Sequence, residues 1–85
     1  MINRYEARFG DGLQACKRAQ SHTYSHAWRI RYQSPRGQID DLIGFSTTRA
    51  LAEDAVTRHL KTFLPKKHRA GVKVLNHEVV SAVAC

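Results

Sequence analysis

The sequence predicts an α+β domain, with an antiparallel sheet of about four strands and two helices, a long one over residues 48–64 and a short one over 13–20, on one face. Three observations predict it. Apolar and polar residues alternate with period two through Met1–Phe9 and again through Ser25–Gln33, the Ser34-Pro35-Arg36-Gly37 segment has turn chemistry, and an apolar stripe at helical spacing runs from Ala52 to Phe63.

In the first strand Tyr5, Ala7 and Phe9 oppose Arg4, Glu6 and Arg8, until Gly10-Asp11-Gly12 stops it. Leu13, Cys16 and Ala19 then recur at intervals of three among good helix formers, which places the short helix at 13–20. From Ser25 to Gln33, Trp28, Ile30 and Tyr32 oppose Arg29, Arg31 and Gln33. Pro35 presets φ for a turn and Gly37 accepts positive φ, so the chain returns as a hairpin over roughly Gln38 to Ser46. Ile39, Ile43 and Phe45 share a face there with Asp41, against Leu42, a conflict that a bulge near Asp40-Asp41 resolves.

The hydroxyls of Ser46-Thr47-Thr48 are helix N-caps for the stripe of Ala52, Ala55, Val56, His59, Leu60 and Phe63. Asp54 and Arg58 stand i, i+4 on it, Pro65 ends it, and His59 reads as a packed histidine rather than a ligand or base. After Gly71, the run Val72–Val80 reads as a last strand with a break near Asn76-His77. The order strand, helix, strand, strand, helix, strand is that of the ferredoxin-like split βαβ arrangement. Both helices then cover Tyr5, Phe9, Trp28, Ile30, Tyr32, Ile43 and Phe45, and the open face carries Arg4, Arg8, Arg29, Arg31 and Lys73.

The 85 residues form one domain, 1–85, since a chain of this size buries only about 60% of its unfolded surface. Its apolar runs are far too short to span a bilayer, and charges through the first twenty residues leave no room for a secretory signal, so the expectation is a soluble cytoplasmic protein with no membrane partner. Cys16 and Cys85 do not make a disulfide framework and are expected to remain thiols. Cys16, His22, His26 and Cys85 are the candidate zinc ligands, but no close Cys pair fixes a tetrahedron, so neither metal nor cofactor is expected. Neither is an enzyme. The adjacent carboxylates Asp40-Asp41 point to opposite faces of a strand, Cys16 has no triad, and no Gly-rich phosphate loop precedes a helix.

The net charge of +7, from 14 Lys/Arg against 7 Asp/Glu, points to a phosphate-bearing partner. The candidate nucleic-acid contacts are Arg4, Arg8, Arg29, Arg31, Arg36, Lys66, Lys67 and Arg69. Duplex DNA is favoured over single strands, because the open face lacks stacking aromatics. The alternative is a small inhibitor or accessory module of a mobile element, acting on a nucleic-acid-processing protein; an unpaired edge strand would serve such a partner or a homodimer.

From Trp28 to Ala52, the residues Trp28-Arg29-Ile30-Arg31-Tyr32, the turn Pro35-Arg36-Gly37, then Phe45-Ser46-Thr47 and Ala50 or Ala52 resemble the AP2-like arm-site DNA-binding domain of phage-type tyrosine integrases. The resemblance covers about 25 residues. It implies a three-stranded sheet laid in the major groove, contacts from Arg29, Arg31 and Arg36, and a phage or other mobile element as the source. The chain departs from that pattern at Asp40-Asp41, where the family is basic, and in the strand after Gly71. Gly44-Phe45 and the Ala-rich helix also resemble part of the RNA-recognition motif, but that family stacks bases on open-face aromatics, and here Trp28, Tyr32 and Phe45 are assigned to the core.

Overall fold

The computed structural model describes residues 3–19, 23–64 and 71–84, the side chain of Phe63 excepted. Strands β1 (Asn3–Arg8), β2 (Gln14–Ala19), β3 (His26–Gln33) and β4 (Ile39–Ser46) are followed by helix α1 (Arg49–Arg58) and strand β5 (Lys73–Ala84). All pairings are antiparallel, in a single five-stranded sheet of order β2-β1-β5-β3-β4. The α+β class and the antiparallel sheet are as predicted. Four strands, the ferredoxin-like order and the second helix are not: among the described residues there is one helix, and of the predicted helix at 13–20 the residues Gln14–Ala19 form strand β2, while residue 20 lies outside the described residues.

Residues 13–19 are extended because the Gly10-Asp11-Gly12 segment turns the chain back onto β1. Gly12, at φ 90°, donates its N–H to the Phe9 carbonyl at 2.9 Å, and Phe9 N–H reaches Leu13 O at 2.8 Å. A helix of two turns is marginal alone, whereas β2 gains a register with β1 along its whole length, from Asn3↔Ala19 to Arg8↔Gln14.

Hairpin β3–β4 closes through Ser34, whose carbonyl accepts from Gly37 N–H at 2.9 Å while its N–H donates to Gln38 O at 2.8 Å; Gly37 sits at φ 89°. The β3–β4 register runs from His26↔Ser46 to Gln33↔Ile39 without a shift, so the bulge expected at Asp40-Asp41 is absent. No conflict needed resolving, because Leu42 packs against one core and Phe45, on the opposite face of β4, against the other. The irregularity lies on the other side of β3, where Arg31↔Asn76 is followed by Tyr32↔Val74 and Leu75 is the extra residue, next to the predicted break. The last strand extends past Val80: β5 pairs through Lys73–Ser81 with β3, then through Ala82–Ala84 with β1.

Two cores lie on opposite faces of β3. On one, Trp28, Ile30 and Tyr32 pack with Ala52, Ala55, Val56 and Leu64. Thr48 caps α1, accepting from Leu51 N–H at 3.1 Å, and Arg58 pairs with Asp54 at 3.3 Å. Beyond Arg58 the helix widens into a π-helical stretch, His59–Phe63, where Leu64 N–H reaches His59 O. His59 stacks on the Trp28 indole, centroids 4.9 Å apart, as a packed histidine. The indole lies so close over β4 that a Cβ on Gly44 would stand 2.4 Å from it.

On the other face Ala7, Phe9, Ala27 and Ala82 form a second core with Leu13, Ala15, Phe45 and Val80. Tyr5, Phe9, Ile43 and Phe45 therefore do not share a face with Trp28 as predicted, Ile43 standing opposite Arg29 and exposed, and the face expected to be open is covered by the β1–β2 hairpin. Pro65, like residues 66–70, falls outside the described residues.

Candidate nucleic-acid interface

The five candidate contacts among the described residues, Arg4, Arg8, Arg29, Arg31 and Arg36, do not come together. Lys66, Lys67 and Arg69 lie outside the described residues. Arg36 is exposed in the turn between β3 and β4. Arg29 and Arg31 project from β3 on the hairpin side, while Arg4 and Arg8 project from β1 on its opposite, outward side.

The expectation that Arg29 is solvated is wrong, since only 2% of its side chain is exposed. Its Nη1 donates to both carboxylate oxygens of Asp11 at 2.9 and 2.8 Å, its Nη2 to Glu78 Oε1 at 2.7 Å, and its guanidinium lies 5.1 Å from the Phe9 ring centroid. Arg31, about a third exposed, forks onto Asp41 at 2.9 and 3.1 Å and reaches Asp11 at 3.1 Å. Hydrogen bonding to Asp41 raises the Arg31 pKa above its ordinary value. Leu13 N–H, then the Arg29 guanidinium, hold the Asp11 carboxyl below its usual range. Glu78 also accepts from Gly10 N–H at 3.2 Å, so the same carboxylate ties down the hairpin turn.

Two guanidiniums thus face three carboxylates, Asp11, Asp41 and Glu78, and a phosphate placed there would meet a net negative site. Sequence reasoning missed the acids that capture Arg29. The signal was present: Asp11 sits between two glycines, and Glu78 is the lone acid of the last strand.

Across the outward face of β1–β2 the arrangement is reversed. The register sets Arg4 directly opposite Arg18, Glu6 opposite Cys16, and Arg8 opposite Gln14. Arg4, Arg8 and Arg18 are exposed. Glu6 is the one carboxylate that β1 and β2 supply to this face; it accepts from Gln14 Nε2 at 3.2 Å and lies 3.8 Å from Arg4, which also reaches Cys16 Sγ at 3.5 Å. Arg18 is the exposed basic residue of this face that the helical reading of 13–20 concealed. Over the described residues, Arg4, Arg29, Arg31, Arg49 and Arg58 are ion-paired, whereas Arg8, Lys17, Arg18, Arg36, Lys61 and Lys73 are not. The helix packs across β3, β4 and β5 and leaves the strip on β1–β2 uncovered.

Cys16 is exposed on β2, and His26 Nδ1 lies 2.7 Å from Ser25 Oγ, while His22 and Cys85 fall outside the described residues. Among the described residues no group of three or more His, Cys, Asp or Glu side chains is placed to hold a metal ion. Asp40 and Asp41 face opposite ways: Asp41 holds Arg31, and Asp40 lies by Tyr32, whose phenol pKa is pushed up by burial and then by that charge. None of the described helices is long and apolar enough to cross a membrane. Comparison with known protein families, with curated proteins and with solved structures finds no match to this chain.

Proposed function

We propose that the protein binds duplex DNA through the outward face of the β1–β2 hairpin, with Arg4, Arg8 and Arg18 on phosphates and no catalytic step. The observation that carries this reading is the register pair Arg4↔Arg18. Glu6 beside Arg4 offsets one of the three positive charges on this face, and the net positive charge that remains suits a phosphate backbone. Arg4 and Arg8 are four residues apart on β1, about 13 Å at strand rise, which matches the axial span of roughly four phosphates along one DNA strand.

Stacking on single-stranded bases is disfavoured, since Tyr5, Phe9, Trp28 and Tyr32 are buried. The unit β3–β4–α1 keeps the strand, turn, strand, helix order of the AP2-like integrase domain, and a mobile-element source belongs to the same proposal. The contact residues differ from those the resemblance implies, since Arg29 and Arg31 are held by carboxylates.

Fluorescence anisotropy with duplex DNA, single-stranded DNA and RNA at about 50 and 200 mM salt tests it. The duplex is expected to bind most tightly. Arg8→Ala/Arg18→Ala, at two exposed positions, is expected to keep the fold and to flatten the salt slope by about one unit per lost phosphate contact. Absence of duplex binding at low salt, or an unchanged slope in the double variant, rejects the proposal.

A further inference from the structure

We infer that strand β4 is a self-association edge, on which a second copy of the chain adds its own β4 antiparallel about Leu42. In the sheet order β2-β1-β5-β3-β4 the two edges are β2 and β4. Native edges are guarded by charged side chains, Lys above all, and by Pro, bulges or shortness; the charges of β4 are Asp40 and Asp41, the latter held by Arg31. The β2 edge is six residues long and carries Lys17 and Arg18. By contrast β4 is eight residues long, unbulged, without Lys, Arg or Pro, and it exposes Ile39 and Ile43.

Backbone direction follows from the register. Ser34 N–H donates to Gln38 O, so in the unbroken ladder through Tyr32↔Asp40, Ile30↔Leu42 and Trp28↔Gly44 the even-numbered residues of β4 turn their polar groups toward β3. Ile39, Asp41, Ile43 and Phe45 turn theirs outward. Two copies related by a two-fold at Leu42 set Ile39 against Phe45 of the second copy, Asp40 against Gly44 and Asp41 against Ile43. All four outward residues of each copy are then paired, with about eight backbone hydrogen bonds in total. Charge is compatible with this register: no aspartate stands directly opposite an aspartate, and Asp41, which lies diagonal to its own copy, is already held by Arg31. Moving the two-fold by one residue, to Asp41, shifts the register by two and would set that carboxylate directly against its own copy.

The pairing closes on itself. A β2-to-β4 contact would join a basic edge to an acidic one but would be heterologous and grow without end, using a shorter strand.

Sedimentation equilibrium over roughly micromolar to millimolar protein is expected to show a monomer–dimer equilibrium. The Ile43→Pro variant removes an outward N–H and leaves the β3 ladder intact, so it is expected to remain monomeric with an unchanged circular dichroism spectrum. Hydrogen exchange on the native chain gives a readout independent of any variant. Amides of Ile39, Asp41, Ile43 and Phe45 are expected to gain protection as concentration rises, while those of Asp40, Leu42 and Gly44 stay constant. A monomer throughout the range, masses growing beyond a dimer, a folded Ile43→Pro variant that still dimerises, or odd-numbered amides insensitive to concentration would each overturn the inference.

Discussion

Arg29 keeps its guanidinium within a site that solvent barely reaches, and it does so through three hydrogen bonds to two carboxylates drawn from distant parts of the chain. Such an arrangement adds little over an apolar replacement of the same shape, but removing one partner leaves the others desolvated and unmatched. Asp11 and Glu78 are only partly buried, which tempers the cost. Arg29→Ala is expected to lower stability by about 2–4 kcal/mol in urea unfolding, and Arg29→Lys to recover only part of it, because an ammonium cannot fork onto both carboxylates. A loss under about 0.5 kcal/mol for Arg29→Ala would show that the ion network is dispensable. The alternation of Trp28, Ile30 and Tyr32 with Arg29 and Arg31 was legible in the sequence, and it was correct about which residues share a face. It carried no information on what lies over that face.

At the scale of elements, α1 and hairpin β3–β4 follow from local chemistry. Thr48 supplies the cap, Ser34 and Gly37 the turn, and Ala52, Ala55 and Val56 the stripe. The π-helical stretch after Arg58 sets His59 against Trp28, and burial, then the Arg58 charge, lowers the His59 pKa below 6.5. The sign follows from linkage: the unfolded chain takes up a proton near pH 6.5 that the folded chain resists. This contribution is therefore complete above pH 6.5 and is lost as pH falls through the folded pKa. Melting temperature is expected to drop between pH 7.5 and 5.5 more in the native chain than in a His59→Phe variant; equal drops would remove His59 as the cause. Strand β2 was the element misread. Leu13, just before it, and its Cys16 and Ala19 fit an interval of three, and a short segment with both readings open is decided by whichever partner offers hydrogen bonds.

For the molecule as a whole, two cores back to back on β3 imply two units of unequal stability. The α1 side buries Trp28, Ile30, Tyr32 and Leu64, whereas the hairpin side is built around Phe9 and small residues such as Ala7, Ala27 and Ala82. Phe9→Ala is expected to cost roughly 3–5 kcal/mol and to strip hydrogen-exchange protection from β1 and β2 before β3 and β4. Uniform loss across all five strands would show that the sheet opens as a single unit instead.

By itself the sequence determined the α+β class, the strands at β1 and β3, the β3–β4 turn and the long helix, because alternation, capping and turn residues act over a few positions. It also determined the excess of positive charge. Only the tertiary structure decided where that charge is neutralised and where it is left exposed. The Asp11 that captures Arg29 is eighteen residues away along the chain and Glu78 forty-nine, and both arrive only when β1–β2 folds over β3 and β5 inserts between them. The same folding turns Arg4, Arg8 and Arg18 outward together, since antiparallel register, and not spacing along the chain, places Arg18 beside Arg4. A strand's own sequence says which side chains share a face, but burial and ion pairing depend on what the rest of the chain lays against it.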